Sequence, residues 1–366
     1  HSDTRRQRQM CIRDRYSLTL KVQYILLTFL LFFKTIFSQD NKSMELNLEC
    51  IAFYNLENLF DTIVDTDTNK ILQEDFTPFG KKNFNTDKYF HKLKNLAFAL
   101  DTIGKEVTPL GPSLIGVCEV ENRLVLEDLV SQISIADKNY KIVHHEGSDA
   151  RGIDCALLYD PLHFKVTSSK SVKFTIPDNE RFRSRDQLVV SGELLGEKIH
   201  FIVVHWPSRR GGEAKSRPKR IEAAKLTKSI VDSLKQIDKN AKVIVMGDFN
   251  DDPISPSVAD FLKAKRSTVL KNNQMYNTMY DHYKNGIGTL AYRDQWNLFD
   301  QFILTPSLID LDKNYDGFSF YKSVVFNKSF LKNQKGNFKG YPFRTFAGSN
   351  FMGGYSDHFP VYMFLV

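Results

Sequence analysis

Cysteine is scarce in this chain. The four present, Cys11, Cys50, Cys118 and Cys155, form no C-x-x-C pair. A thiolate zinc site and a disulfide-stapled scaffold are thereby excluded. The last three lie in apolar, strand-like runs and read as buried packing thiols. No apolar run reaches the roughly 20 residues that a membrane-spanning helix needs. No internal repeat and no Gly/Ser linker divides the chain. Hydrophobic residues at 42% and charged residues at 25% also exclude collagen-like, low-complexity and mainly disordered classes. A length of 366 residues leaves one large or two medium globular domains with an ample core.

The longest apolar run, Tyr24–Phe33, follows Lys21 and is followed by Phe37, Ser38 and Gln39. A basic start, a short apolar stretch and a small residue at the cut are the layout of a secretory signal peptide over residues 16–38. Cleavage near Ser38 or Gln39 is expected, with a single N-terminal membrane anchor as the alternative. A lipoprotein is disfavoured, because no Cys sits at the cut. Residues 1–15, HSDTRRQRQMCIRDR, are too polar for that layout and read as a remnant upstream of the real start. The mature protein is then exported: periplasmic, cell-surface or secreted. This assignment changes the charge. The whole chain carries +7, but residues 1–38 hold seven Lys and Arg against two Asp, a net of +5, and the remainder is left with +2. Bulk charge therefore gives almost no support to an anionic partner.

From Glu45 onward short apolar runs alternate with helical patterns. Residues 49–55, 113–119, 154–160, 186–194, 198–205, 242–248, 297–304 and 359–366 are of strand length. Residues 86–103, 123–134 and 219–237 repeat apolar residues at three and four, which predicts helices, with Thr86 as an N-cap and Pro218 in a first turn. Long surface loops are expected at 62–85, 271–295 and 328–350. The pattern predicts one α/β domain over 45–366, with antiparallel hairpins mixed into its sheet.

The informative feature is where the strands stop. The runs end at Asn55, Glu119, His205 and Asp248, the last followed by Asn250. Asp300 lies inside NLFDQFIL, and Asp357–His358 precede the final run. A lone strand-end Asp is usually a cap or turn residue, but six such endings in one chain place polar groups along a single sheet edge, where α/β folds bind ligands. Carboxylate and amide oxygens without thiolates suit a hard divalent cation, Mg²⁺ or Mn²⁺. Such a cation neutralises phosphate oxygens, and an imidazole beside a carboxylate moves protons. Together these parts describe metal-assisted hydrolysis of a phosphate ester.

The ordered motifs FYNLENLFD, GVCEVEN, VVHWPS, GDFND, LFDQFIL and YSDHFP resemble those of the endonuclease/exonuclease/phosphatase superfamily, the deoxyribonuclease I-like group. The resemblance covers about 49–360. It implies a four-layer α/β sandwich, two mixed β-sheets packed face to face and flanked by helices. It also implies metal ligation by Asn55, Glu119 and Asp357, with Asp248 and Asn250 positioning water and phosphate. His358, oriented by Asp300, matches the proton-handling histidine. His205, supported by Asp154, matches a second histidine facing the phosphate and the leaving oxygen. Arg185 resembles an arginine that contacts substrate phosphate. Glu121 is read as a surface or supporting carboxylate, and His144 and His145 as bland neighbours of the cleft.

The substrate is harder to read. After His205 the chain runs WPSRRGGEAKSRPKR, placing Arg209 and Arg210 at the head of a basic segment that suits a polyanionic backbone. The opposing reading is a helix start whose charges pair with Glu213 and Glu222. Trp206 either stacks on a base or belongs to the core. Three functions are weighed. The first is a secreted nuclease cutting DNA or RNA. The second is a phosphatase or phospholipid phosphodiesterase of sphingomyelinase type. The third is a non-catalytic binding module, disfavoured because every catalytic-type position holds a competent residue. The W-x-G-D and P-A-W-C-D-R signatures of inositol phosphatases are missing. No stable protein partner is implied, and a monomer is expected.

Overall fold

Four strands of the first sheet come early: β1 (Glu49–Leu59), β2 (Leu114–Val120), β3 (Lys141–His144) and β4 (Asp154–Tyr159). The second sheet follows with β5 (Phe164–Val172), β6 (Gln187–Leu194), β7 (Glu197–His205), β8 (Val243–Asp248), β9 (Ala264–Lys265) and β10 (Met275–Asn277). A small hairpin, β11 (Leu290–Tyr292) and β12 (Gln295–Asn297), precedes β13 (Asp300–Leu304). The chain then adds β14 (Phe320–Val325), a second small hairpin of β15 (Phe346–Ala347) and β16 (Asn350–Phe351), and finally β17 (Val361–Leu365). The helices are α1 (Thr86–Thr102), α2 (Arg123–Val130), α3 (Glu213–Ile237) and the single-turn α4 (Tyr280–Lys284). This computed structural model describes residues 47–366 except 68, 69, 72, 178, 180 and 272. The remnant and signal-peptide assignments for residues 1–38 lie outside the described residues.

The first sheet runs β14-β17-β1-β2-β4-β3 and the second β5-β6-β7-β8-β13-β10-β9. Both are mixed. Each has one parallel pair near its centre, β1 with β2 and β7 with β8, inside otherwise mostly antiparallel neighbours. In a parallel pair both strands end on the same side, so Asn55 and Glu119 come to one edge of the first sheet, and His205 and Asp248 to one edge of the second.

Alternation explains the layers. On β7, Ile199, Phe201 and Val203 face the first sheet, while Ile202 and Val204 face α3 through Ala223, Ala224, Ile230 and Val231. Helices α1 and α2 cover the outer face of the first sheet with Leu93, Leu96, Leu100, Val125 and Leu129. The sheets meet closely at Gly116 on β2: a Cβ there would lie 2.9 Å from Met246 Cε on β8 and would push that methyl aside. The result is the α/β sandwich of two mixed sheets flanked by helices.

Local chemistry moves several boundaries from the sequence expectation. Asn85, not Thr86, caps α1; its extended backbone lets the side chain accept from Lys88 N. Phe90 falls on the outer face of that helix. Helix α2 stops at Val130, and α3 begins at Glu213, so Pro218 lies inside it. The early start follows from Gly211 and Gly212, both at positive φ, and Ser216 Oγ satisfies the carbonyls of Gly212 and Glu213. Strand β1 does not end at Asn55. It continues to Leu59 through an irregular register in which Glu57 and Asn58 take positive φ.

Candidate active site

The candidates lie at strand ends or in the loops after them, at the irregularity of β1, or in the segments that lead into β6 and β17. Asn55 sits at the irregularity of β1. Its Nδ2 donates to Asp248 Oδ2 at 3.1 Å, and its Oδ1 accepts from Glu57 N at 2.9 Å. Glu119, in β2, takes φ +61, a left-handed backbone that a non-glycine residue adopts at a cost of about 1–3 kcal/mol. That turn brings Glu119 Oε2 to Asn58 N at 2.9 Å and Oε1 to His205 Nε2 at 3.8 Å. His205 and Asp248 are register partners at the ends of β7 and β8, and Asp300 faces Asp248 from β13. The GDFN turn closes on itself: Asn250 N donates to Asp248 Oδ1 at 2.9 Å, and Asn250 Nδ2 to Trp206 O at 3.0 Å.

The last segment enters through Ser356, whose Oγ donates to Asn55 O at 2.7 Å and accepts from His358 N at 3.1 Å. That clamp sets His358 with Nδ1 2.7 Å from Asp300 Oδ2 and Nε2 3.9 Å from Asp248 Oδ2. His205 Nε2 lies 3.5 Å from the same Asp248 oxygen. Two imidazoles therefore flank one carboxylate. An oxygen of water or phosphate placed between Asp248 and either ring is within hydrogen-bond reach of both.

The two rings carry opposite electrostatics. Burial works against charge on His358, but Asp300, Asp248 and Asp357 outweigh it and hold its pKa well above the ordinary value. Burial, reinforced by Arg185, Arg151 and the charge on His358, holds His205 well below that value. Burial also raises the Asp248 carboxyl to about 6, with Asp300 and Glu119 adding to the rise. Four carboxylates, Glu119, Asp248, Asp300 and Asp357, thus meet at one site beside the Asn55 amide and the two imidazoles. Such a donor set fits a hard divalent cation. Glu119, with Asn55 and Asp357, would hold it, and the cation would neutralise charge on the phosphoryl oxygens.

A sequence profile of the Endonuclease/Exonuclease/phosphatase family matches residues 50–366. The chain belongs to the endonuclease/exonuclease/phosphatase family. It is thereby a member of a family of phosphoesterases. No curated protein matches the sequence. Among solved structures, C. elegans TDP2 aligns with TM-score 0.52 at 13% identity, over 90% of this chain and 78% of that one. A humanized D. rerio TDP2 aligns with TM-score 0.51 at 14% identity, over 87% and 99%. A mannosyl-6-phosphatase of Bacteroides thetaiotaomicron aligns with TM-score 0.50 at 17% identity, also over 87% and 99%. At such identities the likeness establishes the fold.

Within the family frame, three sequence assignments change. Asp154 does not support His205: it pairs with His144, Nε2 to Oδ2 at 3.3 Å, while His205 Nδ1 is buried with no hydrogen-bond partner among the described residues. The cause is register, because β3 pairs with β4 and sets His144 opposite Ala156. Arg185 is buried and spends its guanidinium on the chain itself. Its Nε donates to His205 O at 3.1 Å, Nη2 donates to Trp206 O, and Nη1 meets Asp149 at 3.4 Å. Arg209 is bound to Asn250 O, Asp251 and Asp252 and lies 4.5 Å over the Phe299 ring. Both arginines brace the backbone that carries His205 and Asn250. Arg210 is exposed and unpaired among the described residues.

The rest of the basic segment is mostly spent internally. Arg217 forms a two-pronged pair with Glu213, and the fully buried Arg220 meets Asp251 at 2.7 Å. Lys219 sits 4.3 Å over the Phe182 ring. Trp206 is core: it donates to Thr227 Oγ1 at 3.2 Å and packs edge-on against Phe249. Glu121 is buried and accepts from Asp61 N at 2.7 Å, so it supports the loop beyond β1. His145 bonds Ser169 Oγ at 2.9 Å.

Several residues at the site escaped the sequence reading. Arg344 reaches Asp357 Oδ2 at 2.6 Å and Glu57 Oε1 at 3.6 Å. Arg151 lies 3.6 Å from Glu119. Burial raises buried Glu57 to about 7, and lowers Lys92 to about 8. Lys92 donates to Glu57 O at 2.6 Å and Thr345 Oγ1 at 2.9 Å. A lysine in the apolar stripe of α1 and a second acid two residues after Asn55 were the available signals. Nothing in the sequence near Arg344 marks it.

Proposed function

We propose that this family member is an exported, Mg²⁺- or Mn²⁺-dependent phosphodiesterase that hydrolyses DNA or RNA by in-line attack of water, acting as a monomer. The observation that carries the reading is the pair of imidazoles at 3.5 and 3.9 Å on either side of Asp248. His358, oriented by Asp300, and Asp248 position water and take up its proton. His205, kept neutral by burial, donates from Nε2 to a phosphoryl or leaving oxygen. Asn250 holds the turn and offers an amide to the phosphate. In support, one solved structure similar in fold is a D. rerio TDP2 complexed with single-strand DNA product.

A second reading, a phosphatase or phospholipid phosphodiesterase, is favoured by one observation: Arg209, Arg217 and Arg220 of the segment after His205 are ion-paired within the chain, and Lys219 lies over the Phe182 ring. A fold relative named as a mannosyl-6-phosphatase points the same way. One experiment separates them. The mature chain is incubated with Mg²⁺ or Mn²⁺ and plasmid DNA, RNA, sphingomyelin or a phosphomonoester. Nicking of plasmid or cutting of RNA is expected. Release of choline phosphate or inorganic phosphate with both nucleic acids intact overturns the first reading in favour of the second.

A further inference from the structure

A cavity of about 400 Å³ lies beside the catalytic cluster, lined by Tyr292, Arg293, Phe338, Tyr341, Arg344 and Asp357 among others. It is in the size range of ligand sites, roughly 300–1,000 Å³. Its position follows from the fold. Asp357 immediately precedes His358, and Arg344, bound to Asp357 at 2.6 Å, forms part of the same wall. The cavity therefore shares Asp357, the neighbour of His358, with the reacting centre.

Its walls are aromatic faces beside fixed cations. Tyr292 and Phe338 are 63% and 64% exposed, and Trp296 next to them is 37% exposed. Single exposed aromatics are ordinary, but a cluster at the mouth of one cleft marks a binding surface. The cluster is held in place. Trp296 lies parallel to Phe359, centroids 6.0 Å apart at 15°, and edge-on to Tyr341 at 5.7 Å. Tyr341 is anchored by its hydroxyl to Asp294 and packs on Phe338 at 5.6 Å. Arg293 stands 5.2 Å over the Tyr292 ring. Flat π-faces recognise a planar ring, and guanidinium groups recognise an anion or a ring face. A simple sugar phosphate has no planar ring to use these walls, and a choline headgroup, which aromatic faces do bind, would meet the like charges of Arg293 and Arg344.

We propose that this cavity is the subsite for the nucleobase next to the scissile phosphate, with Tyr292 and Phe338 as its stacking residues and Arg293 as its cationic flank. This deepens the phosphodiesterase reading and rests on it. None of these three side chains touches the reacting groups, so they determine specificity and leave the chemistry alone.

The test compares Tyr292→Ala and Phe338→Ala with wild type on a short oligonucleotide and on the same oligonucleotide made abasic at the two nucleotides flanking the cut. Stacking supports roughly 5- to 100-fold in binding per base. KM for the normal oligonucleotide is expected to rise by about that factor in each variant, with kcat nearly unchanged, while KM for the abasic one stays at the wild-type value. Both residues are exposed, and an unchanged melting temperature verifies the fold. Equal effects on the two substrates, or none on either, overturn the proposal. Direct binding of AMP and of ribose 5-phosphate separates the two levels. If wild type cuts no nucleic acid yet binds AMP more tightly than ribose 5-phosphate, and Tyr292→Ala removes the difference, the phosphodiesterase reading falls and the base subsite stands. If nucleic acid is cut and AMP and ribose 5-phosphate bind alike, the subsite falls alone.

Discussion

Asn55 on β1 and Asp248 on β8 are joined by a 3.1 Å hydrogen bond across 193 residues of sequence. The bond ties the carboxyl edge of one sheet to that of the other, and it is made by two residues with catalytic-type assignments. Fold and site are therefore one construction here: the sandwich closes through groups that the chemistry also needs.

Asn55→Ala tests that coupling. The change takes the Asn55 donor from Asp248 Oδ2 and leaves Glu57 N without its acceptor, both in the interior. A stability loss of about 1–3 kcal/mol per orphaned group is expected, together with a drop in turnover. Urea melts and steady-state rates on the same preparation check it. Full stability with full activity would show the bond to be incidental.

Asp300→Asn tests the proton path. Asp300 is the leading carboxylate holding the pKa of His358 above its ordinary value, against burial. Removing its charge lowers that pKa, so the neutral, proton-accepting ring becomes available at lower pH. The acidic limb of the kcat/KM profile is expected to move toward lower pH, while the plateau falls by about 10²–10⁴-fold through lost orientation and basicity. A limb that stays in place assigns the titration to another group.

Arg220→Met tests whether the basic segment is structural. Arg220 and Asp251 are fully buried and 2.7 Å apart. Losing Arg220 takes one of two guanidinium partners from Asp251, which keeps Arg209 at 3.1 Å, so the cost stays below the about 3–5 kcal/mol of a fully stranded buried charge. The melting temperature should fall. Arg210 and Lys215, exposed and outside any ion pair among the described residues, behave oppositely. The double variant R210A/K215A should leave stability within about 0.5 kcal/mol and reduce the salt slope of nucleic-acid binding by at most about 2. A larger loss of slope would restore the segment as a main phosphate contact.

The parts legible in the sequence were those written locally. An apolar run ending in Glu119 or His205 announces both strand and site. So the strand runs, the GDFN turn and the His358 loop could be read before any coordinate, but not which strands pair in parallel. What stayed hidden depends on long-range pairing. Strand β5 is polar and largely exposed, with FKVTSSKSV showing no apolar run, because it is an edge strand supported on one side by β6. Asp154 was expected to support His205, but its partner is chosen by the β3–β4 register, which brings in His144. The charges of Arg185 and Arg209 were visible, but not the carbonyls at which they point. Arg344, which ties Glu57 to Asp357, sits in a stretch with no motif at all.

The carboxylate crowding predicts how the protein responds to metal. Burial raises Asp248 to about 6, and Asp300 and Glu119 add to that rise, so these acids oppose one another when no cation neutralises them. A divalent ion that binds only the folded state stabilises it by RT ln(1 + [L]/Kd), about 2.7 kcal/mol at one hundred times Kd. Adding Mg²⁺ or Mn²⁺ to EDTA-treated protein should therefore raise the melting temperature by several degrees, and EDTA should abolish turnover. Glu119→Gln removes the central charged ligand and should cancel most of the thermal shift while leaving the metal-free melting temperature the same or higher, because one repelling carboxylate is gone. A full shift in Glu119→Gln would move the metal to other ligands. Activity that persists in EDTA would remove the metal from the reaction.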